Sequence, residues 1–298
     1  MKYHNPVMLN ECLEGLNLKP NGIYVDVTFG GGGHSRAIVQ SIGKDGRLFS
    51  FDQDADALDN VIEDPRFQLV YHNFKYLQHF MRFYDVIPVD GILADLGVSS
   101  HQFDTADRGF SIRFDADLDM RMDQNQALTA KTILNEYDQD DISRILWKYG
   151  EVKQSKRLAH EIIQARKINS IERVNDLLPL LKKYTRPGKE HRFHAQVFQA
   201  LRIEVNNEIG VLKDMLKQAV EVLNVGGRLV VMSYHSLEDR LVKELIKESV
   251  IKNDSNPFEN DIPRLKQIHR KPIMAKDEEI AENGRSRSAK LRILEKMV

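Results

Sequence analysis

Val25-Asp26-Val27-Thr28-Phe29-Gly30-Gly31-Gly32-Gly33-His34-Ser35 carries an apolar strand into four consecutive glycines, and Leu48-Phe49-Ser50-Phe51-Asp52-Gln53-Asp54 follows as a second apolar strand ending on an acid. A helix separates the two. Strand, glycine turn, helix and strand in this order are how a doubly wound α/β sheet holds a nucleoside-containing cofactor at the carboxyl ends of its strands. Glycine lets backbone approach a ligand closely and take positive φ without strain. An acid at the end of the second strand accepts hydrogen bonds from both ribose hydroxyls. The stretch therefore predicts a nucleoside cofactor and leaves its identity open.

Working outward, four apolar runs in the first hundred residues read as strands: Ile23–Thr28, Arg47–Asp52, Phe67–His72 and Asp90–Leu96. Helical patterns at Ser35–Ile42 and Ala55–Ile62 separate the first three. Runs apolar on both faces, alternating with helices, predict a parallel sheet covered on both sides with right-handed crossovers. From Asp107 to His194 amphipathic helices replace strands. Ile142, Ile145, Leu146 and Tyr149 repeat at helical spacing with Asp140 as the expected N-cap. Val174, Leu177, Leu178 and Leu181 do so again, with a kink or break expected at Pro179 and a turn at Arg186-Pro187-Gly188-Lys189. A helix over Glu208–Leu223, stopped by Gly226-Gly227, leads to a fifth strand at Arg228–Tyr234. Leu265–Pro272 and Ala289–Glu295 are expected to pair antiparallel. The reading is thus a core domain in two parts, 1–106 and 195–298, around a helical insertion at 107–194. A parallel sheet closed by an antiparallel pair is typical of S-adenosylmethionine-dependent methyltransferases.

The bulk properties exclude several classes. Lys+Arg number 43 against 44 Asp+Glu, so any nucleic-acid surface must be a local patch. A single cysteine, Cys12, excludes an intramolecular disulfide and a cysteine-rich zinc site, and fits a reducing cytosol. The first residues lack the apolar core of a signal peptide, and no apolar run reaches membrane-spanning length. A cytoplasmic location is expected.

Three features weigh against a nicotinamide cofactor and a P-loop. Ser35 stands where the dinucleotide fingerprint wants its third glycine. Asp26, just before the turn, would repel a pyrophosphate but suits the ammonium end of S-adenosylmethionine. No Walker lysine follows the glycines. Further motifs run in order along the chain: His4-x-Pro6-Val7-Met8-Leu9, Phe51-Asp52-Gln53-Asp54, Asp95-Leu96-Gly97-Val98-Ser99-Ser100, Arg108-Gly109-Phe110-Ser111 and Leu118-Asp119-Met120-Arg121-Met122-Asp123. Phe198-Gln199-Ala200-Leu201-Arg202-Ile203, Ser233-Tyr234-His235-Ser236-Leu237-Glu238-Asp239-Arg240 and Arg285-Ser286-Arg287-Ser288-Ala289-Lys290-Leu291-Arg292 continue the series. Together with the glycine turn they resemble the RsmH (MraW) family. The resemblance implies a Rossmann-like class I methyltransferase with an inserted helical domain for substrate recognition. It further implies S-adenosylmethionine as cofactor and N4-methylation of a cytidine in the decoding centre (P-site region) of 16S rRNA. The acceptor would be the small ribosomal subunit or a late assembly intermediate.

By the same resemblance, cofactor contacts fall on Gly32, Gly33, His34, Asp52, Phe74, Asp95 and Gln102. Asp95 is also the candidate acceptor for the cytosine amine. Many amino-methyltransferases place an Asp/Asn/Ser-Pro-Pro-aromatic motif here, whereas this chain has Asp95-Leu96-Gly97-Val98. His34, His101 and His235 are candidate bases. No covalent nucleophile is expected, because a cytosine C5 enzyme needs a cysteine in the fourth-strand loop. Asp115-x-Asp117-x-Asp119 fails as a calcium loop, with Met120 and Gln126 where Gly and Glu are required, and no metal is expected. Arg113 and Arg121 are read as salt-bridging these acids, and Phe110 and Phe114 as either base-stacking or packing residues. Basic patches are expected at Arg264, Lys266, Arg270 and Lys271, at Arg285, Arg287, Lys290 and Arg292, and at Lys153, Lys156 and Arg157. The alternatives are a nicotinamide oxidoreductase and an RNA-binding assembly factor on a methyltransferase fold.

Overall fold

A computed structural model describes residues 6–185, 188–251 and 262–298. His4 of the first motif and Arg186-Pro187 of the expected turn lie outside the described residues. The chain divides into two compact units, one of Met1–Gly97 with Ile209–Val298 and the other of Val98–Glu208. The expected insertion at 107–194 falls wholly within the second unit, which extends further at both ends. No helix among the described residues is long and apolar enough to cross a membrane.

The first unit is built on one sheet. Strands β1 (Ile23–Asp26), β2 (Arg47–Asp52), β3 (Phe67–Tyr71), β4 (Val89–Asp95) and β5 (Leu223–Ser233) run parallel, in the order β3-β2-β1-β4-β5. The short β6 (Val250–Ile251) and β7 (Ile262–Pro263) pair with each other. Beyond β5 the main sheet continues with β10 (Lys290–Lys296), antiparallel to β5, to β8 (Leu265–Gln267) and to β9 (Ile273–Met274). The expected antiparallel closure is present, with β10 lying between β5 and β8.

Side-chain alternation along the strands builds two cores. Val25, Phe49, Phe51, Ile92, Leu229 and Val231 face one side, against Leu77 and Met81 of α3 (Leu77–Phe83) and residues of α10 (Glu208–Val222) and α11 (Ser236–Glu248). Tyr24, Leu48, Leu93, Val230 and Met232 face the other, against Cys12 and Leu16 of α1 (Leu9–Leu16) and Ile38 and Val39 of α2 (Gly33–Ser41). Phe49 and Phe51 are at most 1% exposed, each contributing about 1.5–3 kcal/mol through burial. A sheet buried on both faces requires this near-continuous apolar reading. The last helix, α12 (Asp277–Glu282), precedes β10.

The second unit is helical: α4 (Ser100–Asp104), α5 (Ala130–Glu136), α6 (Gln139–Gly150), α7 (Ser155–Arg166), α8 (Val174–Lys182) and α9 (Glu190–Asn206) surround their own core of Ile133, Ile145, Leu158, Leu177 and Leu201. Several local expectations are corrected. The N-cap of α6 is Asp138, which accepts from the Asp141 N–H at 2.8 Å, and Asp140 lies inside the first turn. Helix α8 runs through Pro179, because Val174, Leu177 and Leu181 keep it seated on the core at 0% exposure. In the first unit, the helical pattern expected over Ala55–Ile62 is a 3-10 helix over Ala55–Asn60 with Ala57 buried. Helix α10 passes directly into β5 at Leu223, and Gly226-Gly227 sit in an irregularity within β5 instead of ending the helix. Burial of Val222 and Leu223 pins the chain to the sheet before the glycines are reached.

Candidate active site

Strand β1 has β2 on one side and β4 on the other, so the chain direction across the sheet reverses there and a crevice opens beyond the carboxyl ends. Asp26, Asp52 and Asp95 are the last residues of β1, β2 and β4. The glycine turn is braced against the same edge. The Phe29 N–H donates to Phe51 O at 2.9 Å and the Gly30 N–H to Asp52 Oδ2 at 2.7 Å. Gly32 caps α2 with φ at +73°, where an L side chain is strained, and an added Cβ would sit 2.9 Å from the Phe29 ring. Gly33 and His34 begin α2.

Each carboxylate has a distinct environment. Asp26 is 1% exposed and accepts from the Thr28 N–H at 3.0 Å, the Thr28 hydroxyl at 3.2 Å and the Ser35 hydroxyl at 2.7 Å. Its carboxylate is therefore an internal brace, and it acts on a cationic ligand through its field. Asp52 accepts the Gly30 and Asp54 N–H groups at 2.7 and 2.9 Å, one on each oxygen, leaving lone pairs on both for a diol. Burial, reinforced by the charges of Asp54 and Asp26, pushes its carboxyl up to about 6.

Asp95 is held from three sides. Its N–H donates to the Thr28 hydroxyl at 2.8 Å, Tyr234 donates its phenol to Oδ1 at 2.8 Å, and His34 Nδ1 lies 3.8 Å from Oδ2. About a quarter of its side chain is exposed (24%). Burial again dominates, raising its carboxyl to about 6 against the opposing effects of His34 and Tyr234. His34 Nε2 reaches Val7 O at 3.1 Å, so that nitrogen carries the proton and Nδ1 faces Asp95. Tyr234 was not among the residues singled out by sequence. Its contact joins positions 139 apart, and no local periodicity reports it.

The remaining predicted residues divide. Phe74 opens the 3-10 turn after β3 and packs against the sheet core. Its N-cap, Asn73, donates to Gln53 at 2.6 Å, which ties this turn to the end of β2. Gln102 lies in the second unit, buried, where its amide oxygen accepts the Ser99 N–H at 3.0 Å and closes a capping box on α4. His101 is on the same helix. His235 is the N-cap of α11, with Nε2 3.1 Å from Glu238. Cys12 is fully buried, and burial with the charges of Asp95 and Asp26 pushes its thiol well above the ordinary range, which leaves no thiolate to act as nucleophile.

Several side readings are corrected. Arg113 pairs with Asp104, and Arg173 takes Asp115 and Asp117, leaving only Arg121 with its expected partner, Asp119. Phe110 is 6% exposed within the helical core, so it packs and does not stack on a base. Arg292 is 8% exposed and bonded to Asp239 at 2.6 Å, and Arg264 is paired with Glu221, which removes both from the expected basic patches.

S-adenosylmethionine fits the crevice by the chemistry of its donors. Acids end all three central strands, and the guanidinium following the turn, Arg36, donates to the carbonyls of Gly31 and Asn60. Such a set attracts a sulfonium and an ammonium and repels a pyrophosphate, against the nicotinamide alternative.

A ribosomal RNA small subunit methyltransferase H from Christiangramia forsetii is 51% identical over 299 residues, covering 100% of this chain and 99% of that protein. A protein of the same name from Parabacteroides distasonis is 53% identical over 298 residues, covering 99% of this chain and 98% of its own. Among solved structures, an rRNA methylase from Streptococcus thermophilus matches at a TM-score of 0.42 and 13% identity, covering 100% of this chain and 99% of that one. The model of the MraW methylase family matches residues 1–297, and the chain therefore belongs to that family and is a methyltransferase.

Proposed function

We propose that this protein transfers a methyl group from S-adenosylmethionine to the exocyclic N4 of a cytidine in the decoding centre of 16S rRNA, acting in the cytoplasm on the small subunit or a late assembly intermediate. The observation that carries the reading is Asp95, an acceptor carboxylate at the end of β4, fixed by Tyr234 and Thr28. The relatives' shared name, ribosomal RNA small subunit methyltransferase H, supports the substrate class.

The bound cofactor supplies an electrophilic methyl group. Asp52 accepts from the ribose hydroxyls, and Gly32 and Gly33 bring backbone close to the ligand. A cytosine amine is a poor nucleophile because its lone pair is delocalised into the ring. Asp95 accepts an N–H from that amine and turns the lone pair toward the methyl group, so catalysis is largely positioning. With the cofactor bound, formation of the N–C bond would be matched by breakage of the methyl–sulfur bond, leaving S-adenosylhomocysteine and a strongly acidic, positively charged nitrogen. Its proton leaves to Asp95 or to water, and His34 Nδ1 lies beside that carboxylate. A cytosine paired in a helix hides its amine, so the target base is presented unpaired or flipped. The second unit takes part in recognising the RNA.

Radiolabelled S-adenosylmethionine and small subunits from a strain lacking this protein test the reading. Label is expected in N4-methylcytidine. Label in another nucleoside, or none with cofactor demonstrably bound, overturns it.

A further inference from the structure

We propose that Trp147, Lys153 and Lys156 form an RNA-docking ridge on the helical unit, with an unstacked base on the indole and phosphates against the lysines. The inference rests on the rRNA reading above and names a surface that serves it.

Helix α6 buries Ile142, Ile145 and Leu146 at 0–1% exposure, while Trp147, the chain's only tryptophan, is 61% exposed. Two contacts show α6 and α7 to be antiparallel: Ser143 lies 3.3 Å from Ser155, and Gln139 lies 3.1 Å from His160. Trp147 is one turn beyond Ser143, which brings it level with the connection that contains Lys153. Lys156 is one turn before His160, on the side of α7 turned toward α6. The three residues therefore share one ridge.

Charge supplies the second argument. Elsewhere in this unit several cations have partners: Arg144 pairs with Asp141 and Glu204, Lys183 pairs with Glu161, and Arg166 donates to two carbonyls. Between Trp147 and Arg157 the chain carries four cations, Lys148, Lys153, Lys156 and Arg157, against a single acid, Glu151. Lys153, Lys156 and Arg157 are exposed, and among the described residues none has a carboxylate partner. An exposed indole beside unpaired cations, in a chain of net charge −1, matches the pairing of stacking platform and phosphate contacts used on single-stranded nucleic acid.

Because Trp147 is the only tryptophan, its emission reports on this ridge without requiring turnover. Protein-free 16S rRNA is expected to quench it. Trp147→Ala is expected to raise the KM for small subunits about tenfold with kcat and cofactor affinity unchanged, and Trp147→Phe to restore most of that loss. The double variant Lys153→Gln/Lys156→Gln should lower the slope of log KM against log salt by about 1.4. Unchanged emission with RNA bound, or wild-type KM in both the alanine and the lysine variants, overturns the proposal. So does a raised KM for subunits with unchanged affinity for protein-free 16S rRNA, which would make the occupant a protein. Quenching by RNA with no methyl transfer by the wild type would sink the functional reading and leave the docking ridge standing.

Discussion

Asp52 and Asp95 are held at about 6 because the fold buries them beside other acids without a strong cation partner. An acid raised above its ordinary 3.8 favours folding while it is protonated, so this contribution is fully present below about pH 3.8 and is lost as pH rises through about 6. The ligand-free protein at neutral pH therefore carries strained charge in the site. Asp95→Asn is expected to raise the ligand-free melting temperature at pH 7.5 by roughly 3–6 °C, for about 1–2 kcal/mol, while lowering kcat at least about 100-fold. Calorimetry should show roughly half of that thermal advantage gone at about pH 5 and most of it gone by about pH 4. Tyr234→Phe removes a hydrogen bond to the charged form of Asp95, so the acidic limb of the pH–rate profile should move to higher pH. A purely structural role would lower the melting temperature and leave the limb where it is. Asp52 and Asp95 were legible as acids ending apolar runs, whereas Tyr234 was visible only within a motif, since its partner lies on another strand.

At the scale of elements, legibility followed burial. β1 to β4 announce themselves because strands covered on both faces must be apolar throughout, and their bounds shift by at most two residues. The α10–β5 junction was misread because two glycines looked like a helix stop, while burial of Val222 and Leu223 ended the helix earlier. The basic run at 285–292 was misread for a related reason: Arg292 points inward from β10 to Asp239 of α11, which Lys243 also reaches at 3.0 Å. Arg292→Leu should cost about 1.5–3 kcal/mol, because it removes a charged hydrogen bond from a buried carboxylate and leaves it Lys243, and denaturant unfolding will measure it. Gly109, in the Arg-Gly-Phe-Ser motif, has φ at +72° and an added Cβ would lie 2.3 Å from Asp117 O. Gly109→Ala should destabilise the helical unit by at least about 2 kcal/mol, seen as earlier loss of amide protection across α5 to α9.

At the scale of the whole chain, a ligand that binds only the folded first unit must stabilise it by mass action. S-adenosylhomocysteine at about a hundred times its Kd should add about 2.7 kcal/mol to the wild type, and Asp52→Ala should forfeit most of that thermal shift. The two-part core was legible from the gap in strand signals. The limits of the helical unit were less so, since Val98–Ala106 and α9 carry no composition break to mark them. The position of β10 has a consequence for how the molecule is born. Among the described residues it is the last strand in chain order, yet it pairs with β5 on one side and β8 on the other. During synthesis the helical unit is complete long before the sheet that encloses it in sequence. Until 290–296 emerge, β5 presents a bare edge of Leu, Val and Met residues. A nascent chain paused in that interval carries a finished helical unit together with an unpaired strand edge, the kind of surface that invites pairing with another chain.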